Sequence, residues 1–272
     1  MDALAPVNTE GQGGLSSIAS SHSPSGYESI SAVSVVFAAN ARPAADAVRE
    51  LAKKSGQFAI SFEPAAVSVE ESGWVELLSN GMTFDCMGLA PGPPAALPER
   101  VHNFGVTPEM DFGQSQAITL VPGPHLAGGG AMFPVVRCLA WLGALLADLE
   151  GAQAVCWHSA RSYNAPQHFR TSVLRWIEGG AFPALGLTAL VPTADGGLAS
   201  EGLALFIGQE VHLAPDLAAD RSEGAKLAVR LVNWLVENGR IDVPSQLAGP
   251  SGETLLLDPQ QNPRIIKVSK SS

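Results

Sequence analysis

Two turn signals constrain the fold more than any other feature of this chain. Asn80-Gly81 separates the apolar runs Trp74–Leu78 and Met82–Cys86, and Asp195-Gly196-Gly197 separates 184–191 from 198–206. Asn and Gly tolerate the positive φ of a type I′ turn, so each signal predicts a β-hairpin. A third hairpin is expected where Pro259 to Pro263 divides Thr254–Leu257 from Ile265–Val268. Hairpins join antiparallel neighbours and interrupt the alternation of strand and helix. The expected class is therefore α+β, with mixed, largely antiparallel sheets and helices packed on one face, not a doubly wound parallel sheet. A β-α-β-β order occurs twice in outline, which leaves room for two similar subdomains.

The segments between these turns read by periodicity. Val33–Phe37 has strand composition. Pro43 then opens a helix through Lys54, with Ala44, Ala47, Val48 and Leu51 at helical spacing, and Phe58–Phe62 is a second strand. Ala117–Val121 is a strand, and Met132–Leu149 is a core helix. That helix contains Pro134, Arg137 and Asp148, and its uncharged stretch is about half of the ~20 residues a membrane span needs. Ala152–Trp157 is the next strand, Pro166–Glu178 a helix, Glu210–Leu213 a short strand, and an amphipathic helix follows Ser222 and stops at Gly239.

Composition divides the chain further. Residues 1–30 are rich in Ser and Gly and read as a disordered arm. Residues 31–90 form an N-terminal α+β subdomain, 91–116 a Pro/Gly-rich connection, and 117–272 a C-terminal α+β subdomain. The connection is read as a linker lying on the surface, with a lid over a neighbouring site as the alternative. The formal charge is −10, with 16 basic residues scattered along the chain, which argues against nucleic acid. Three distant cysteines in apolar segments suit reduced thiols of a cytoplasmic protein. The amino terminus carries no pattern of a secretory signal, and no membrane association is expected.

Chemistry-bearing residues concentrate between Gly151 and Gly180. Cys156 and His158 lie two apart on one strand face, the spacing a thiol–imidazole pair would use. A buried Cys beside a strand-end His bonded to backbone accounts for the same residues. Four histidines, His125, His158, His168 and His212, follow no metal-ligand spacing, so no metal or other cofactor is assigned. Gly123 and Gly128 stand five apart between a strand and a helix, yet Gly129 and Gly130 replace the Lys and Ser/Thr of a phosphate loop. Amides there remain candidates for a small anionic ligand. Arg161, Tyr163 and Arg170 could bind a carboxylate or phosphate, or could be ordinary charge-paired helix-start residues. No catalytic residue is assigned. The candidate ligand-binding set is His125, Gly128, Gly129, Gly130, His158, Ser159, Arg161, Tyr163, His168 and Arg170, and its test is a pocket where His158, Arg161, Tyr163 and His125 meet.

Segment order carries a resemblance. An early β-α-β is followed by a strand ending Phe84-Asp85-Cys86-Met87-Gly88-Leu89-Ala90-Pro91 and a long connection to Ile118-Thr119-Leu120. Then come Val155-Cys156-Trp157-His158-Ser159 and Gly202-Leu203-Ala204-Leu205-Phe206-Ile207-Gly208-Gln209-Glu210-Val211. Together these resemble the bacterial domain-of-unknown-function family numbered four-two-six-one, over residues 32–268. Ile207 departs from the family's pattern by separating Phe206 from Gly208. The resemblance implies a stand-alone bacterial α+β domain and transfers no activity. The expected function is non-enzymatic protein binding in a bacterial cytoplasm, with an accessory or immunity-type role. The alternative is a small-molecule or anion binder, or a weak hydrolase, built on the 151–180 strand-end elbow.

Overall fold

The computed structural model describes residues 31–65, 73–107, 110–259 and 261–271. The Ser/Gly-rich stretch 1–30 lies outside them. In chain order the elements are β1 (Val33–Phe37), α1 (Ala45–Ser55), β2 (Ala59–Phe62), β3 (Trp74–Ser79), β4 (Met82–Met87), β5 (His102–Phe104) and β6 (Gln116–Pro122). A 3-10 turn over Pro124–Gly129 precedes α2 (Phe133–Leu146). After it come β7 (Ala152–Trp157), β8 (Ser162–Asn164), α3 (Pro166–Ile177), α4 (Ala184–Leu187), β9 (Ala189–Pro192) and β10 (Leu198–Glu201). The chain continues through α5 (Ala204–Ile207), β11 (Glu210–Leu213), α6 (Pro215–Ala218), α7 (Arg221–Asn238), β12 (Ser245–Ala248), β13 (Thr254–Asp258) and β14 (Ile265–Lys270).

The strands form two mostly antiparallel sheets, ordered β2-β3-β4-β6-β1-β7-β8-β5 and β12-β13-β14-β11-β10-β9. Among the described strand pairs, β5·β8 and β11·β14 run parallel and the rest antiparallel. Asn80 (φ 50°) and Gly81 (φ 74°) make the positive-φ turn that pairs β3 with β4. The hairpins β9–β10 and β13–β14 also form, the first shorter than its apolar runs. Gly186 (φ 117°) breaks the first run, because Ser162 Oγ bonds its carbonyl and holds it against β8. Gly202 (φ 91°) ends the second.

Alternation sorts the larger sheet into two faces. Val33, Val35 and Phe37 of β1, with Phe84, Cys86, Ile118, Leu120, Val155 and Trp157, point into the main core beneath α1, α2 and α3. That core runs without a break to Val211, Leu213, Leu231, Leu235, Ile266 and Val268 of the second sheet and α7. Ser34, Val36, Ala154, Cys156 and Tyr163 point the other way. There Val106 and Phe112, with Leu97 and Met110, close a smaller core against Val36, Ala154, Cys156 and Tyr163.

Those last apolar residues come from the Pro/Gly-rich stretch 91–116, and this corrects the expected domain division. The described residues of the stretch form a strap that covers half of the sheet's second face, and β6, β7 and β8 from beyond it complete the sheet begun by β1 to β4. Prolines stop helices and ladders, but they do not stop a chain from lying flat on an apolar face. The strap is fixed at many points. Arg42 donates to the carbonyls of Gly88 and Gly92, Ala95 N–H donates to Ala117 O at 3.0 Å, and Tyr163 Oη donates to Pro98 O at 2.8 Å. Gly88 (φ 85°) starts it, where a Cβ would lie 2.6 Å from Ala117 O.

The repeated order foreseen in outline takes a definite form. Strand–helix–three strands occurs as β1-α1-β2-β3-β4 and again as β11-α7-β12-β13-β14 with α6 added. In the second sheet β14 pairs directly with β11; in the first, β6 lies between β4 and β1.

Candidate functional site

The half of the larger sheet that the strap leaves uncovered holds a groove of about 550 Å³. Its walls include Trp74 of β3, Met87 of β4 and Pro93 and Pro94 of the strap, and its polar groups are Asp85, Thr119 and His158. The arrangement follows from strand period. Asp85 and Met87 alternate with buried Phe84 and Cys86; Thr119 alternates with Ile118 and Leu120; His158 follows β7 on the side of Cys156.

Ser34 ties the polar groups together. It is fully buried, and its Oγ lies 2.7 Å from Thr119 Oγ1 and 2.7 Å from His158 Nε2. Burial pushes the His158 imidazole from 6.5 down to about 4, so it is neutral at physiological pH. Asp85 is shifted the opposite way, its carboxyl raised by burial and then by Glu76, the residue directly across the β3–β4 ladder. Glu76 accepts a hydrogen bond from Ser61 Oγ at 2.7 Å, whereas Asp85 has no hydrogen-bond or ion-pair partner among the described residues.

The residues singled out from the sequence go to separate places. His158 alone of them lines the groove. Arg161 (φ 45°) turns away to bond Glu201 in a fork and Glu99 at 3.1 Å, and these carboxylates raise its pKa. Glu201 is itself opposed by burial, but hydrogen bonds from Arg161 and from His102 at 3.2 Å outweigh that and hold it below the usual carboxylate range. Tyr163 is buried under the strap, and Arg170 pairs with Asp148 at 2.7 Å. His168 is exposed on α3, and His125 is exposed on the 3-10 turn. Ser159 Oγ is buried, with no hydrogen-bond partner among the described residues. Gly128 and Gly129 belong to that turn and Gly130 follows it, so the first residues of α2 are Phe133 and Pro134 and the glycine amides are not its helix start. The anticipated meeting of His158 with Arg161, Tyr163 and His125 therefore does not occur in this groove.

The thiol–imidazole pairing also fails to form. Burial raises the Cys156 thiol far above its ordinary range, and His158 turns its Nε2 to Ser34. All three cysteines are free and buried. His212 pairs with Asp195 at 3.4 Å, and no group of three His, Cys, Asp or Glu is gathered among the described residues. Glu210, the acid that closes the Gly202–Glu210 stretch, has a structural task. Its carboxylate accepts from Ser200 Oγ and from the N–H groups of Gly202, Leu203 and Ala204, at 2.9–3.2 Å for the three amides.

Sequence reasoning missed Ser34, Asp85 and Thr119. A signal for Ser34 was present, since it is the one polar residue in Val33-Ser34-Val35-Val36-Phe37 and buried polar side chains need partners. Asp85 alternates with Phe84 and Cys86 and so faces away from the core, but nothing local told that β6 would pair with β4 and set Thr119 opposite Met87, one pleat along from Asp85.

The molecule is thus an α+β protein whose two mostly antiparallel sheets share one core, with a groove on the open face of the larger sheet. No described helix is long and apolar enough to cross a membrane. Comparison with protein-family models, with curated proteins and with solved structures finds no match.

Proposed function

We propose that this is a binding protein whose groove on the uncovered half of the larger sheet takes up a small molecule. The observation that carries the reading is the buried Ser34 Oγ, which positions Thr119 and a neutral His158 beside Asp85 in a largely apolar cavity. A concave, largely apolar site with a few convergent polar groups is what small-ligand recognition uses. Ser34 lies beneath these groups and is fully buried, so it serves to hold them and not as an exposed nucleophile.

A fragment screen by NMR on the full chain tests this. Ligands are expected to shift the backbone amides of Trp74, Asp85, Met87, Ala95 and Thr119. Hits that move only amides elsewhere, or no hits at all, would remove the groove as a ligand site.

A second reading, protein binding by a bacterial cytoplasmic protein of the resembled family, draws on a different feature. Phe62, Leu78 and Met87 are 52%, 39% and 40% exposed on the same side, and Phe62 packs on Trp74 with ring centroids 5.7 Å apart. Exposed apolar rows of this kind mark interaction surfaces.

A further inference from the structure

The groove's charge identifies its ligand further, on the premise that the groove binds small molecules. Among the described residues that line it, Asp85 is the one carboxylate, His158 is neutral, and there is no Lys or Arg. Arg42, the nearest cation in the strap's anchorage, spends its guanidinium on Gly88 O, Gly92 O and Gln116 Oε1.

Asp85 is also placed at a cost. It stands directly opposite Glu76 in the antiparallel ladder, and like charges in that position repel across the short Cβ–Cβ distance of a cross-strand pair. Glu76 has Ser61 to bond, while Asp85 has no partner among the described residues. On the same face, Trp74 opposes Met87 and is one pleat along from Glu76, so an indole wall stands beside the unmet carboxylate. Aromatic faces attract cations through the ring quadrupole, and a carboxylate supplies the counter-charge.

We infer that the groove selects an organic cation, a protonated amine or ammonium group carried on an apolar body, with Asp85 meeting the charge, Trp74 its flank, and Met87, Pro93 and Pro94 the body. Thr119 and His158 then serve the ligand's uncharged polar atoms. An anionic ligand is disfavoured by the same charges.

Titrations of the full chain with benzylamine, benzyl alcohol and benzoate, followed at the groove amides, separate this claim from the one beneath it. Benzylamine should bind at least tenfold more tightly than benzyl alcohol, and benzoate more weakly than either. Asp85→Asn should erase the preference for the amine while leaving benzyl alcohol unaffected, and Trp74→Leu should weaken both. Benzyl alcohol binding as tightly as benzylamine would overturn the charge assignment and leave the groove as a binding site. Failure of all three probes to move any groove amide would remove both. A preference for the amine that survives in Asp85→Asn would overturn the role given to Asp85.

Discussion

His158 shows how one residue couples the groove to stability. Its folded-state pKa is depressed from 6.5 to about 4, because the buried ring must give up solvation to carry charge. The unfolded chain therefore binds the proton first. The stabilisation is complete above pH 6.5 and is lost as the pH falls through about 4, by an amount on the order of 3 kcal/mol. Denaturant unfolding measured across that window should give a steeper acid loss for the native chain than for His158→Gln, whose amide can still meet Ser34. Parallel curves would show that His158 is not the titrating group. At this scale little was legible: of the ten candidate residues only His158, at its strand end, lines the groove. What was hidden is its partner, since Ser34 stands 124 residues away and only the antiparallel pairing of β1 with β7 brings them together. Arg161 and Tyr163 misled because a rich local composition says nothing about partners that arrive from Glu99, Pro98 and Glu201.

Elements were easiest to read where a local rule fixes them. The type I′ turn at Asn80-Gly81, the Gly56 stop of α1 (φ 63°) and the Asp220 cap of α7, which accepts from Ser222 and Glu223 N–H, are decided within a few residues. Short strands such as β5, β8 and β12 were not foreseen, because three or four residues carry too little alternation and exist only through their ladder partners. The α5 turn is a case of its own. Its start is held by Glu210, a carboxyl whose pKa is raised by burial although four hydrogen bonds to the ionised form oppose the rise. Glu210→Ala would leave three backbone N–H groups and a serine hydroxyl without their acceptor. Chemical denaturation should show a loss of roughly 3 kcal/mol or more, against a change within about 0.5 kcal/mol for the exposed Glu237→Ala. Equal, small effects would mean that the turn does not depend on its acid.

The α+β class followed from the hairpins, but the division into two subdomains did not survive, because composition marks where regular structure stops and not where packing stops. One core joins both sheets, and the strap packs a second, smaller one against β1, β7 and β8. Thermal unfolding should accordingly be one cooperative transition, with near-UV and far-UV circular dichroism giving the same midpoint; two separated midpoints would mean independently folding halves. The position of β1 has a consequence for synthesis. Val33-Ser34-Val35-Val36-Phe37 is uncharged and rich in β-branched residues, and both of its neighbours, β6 and β7, are made well after it, the second ending at Trp157. While the chain is still on the ribosome this segment has two bare ladder edges until β6 is made at Pro122, and one until β7 ends at Trp157, which makes it the place where an incomplete chain is most prone to pair with another.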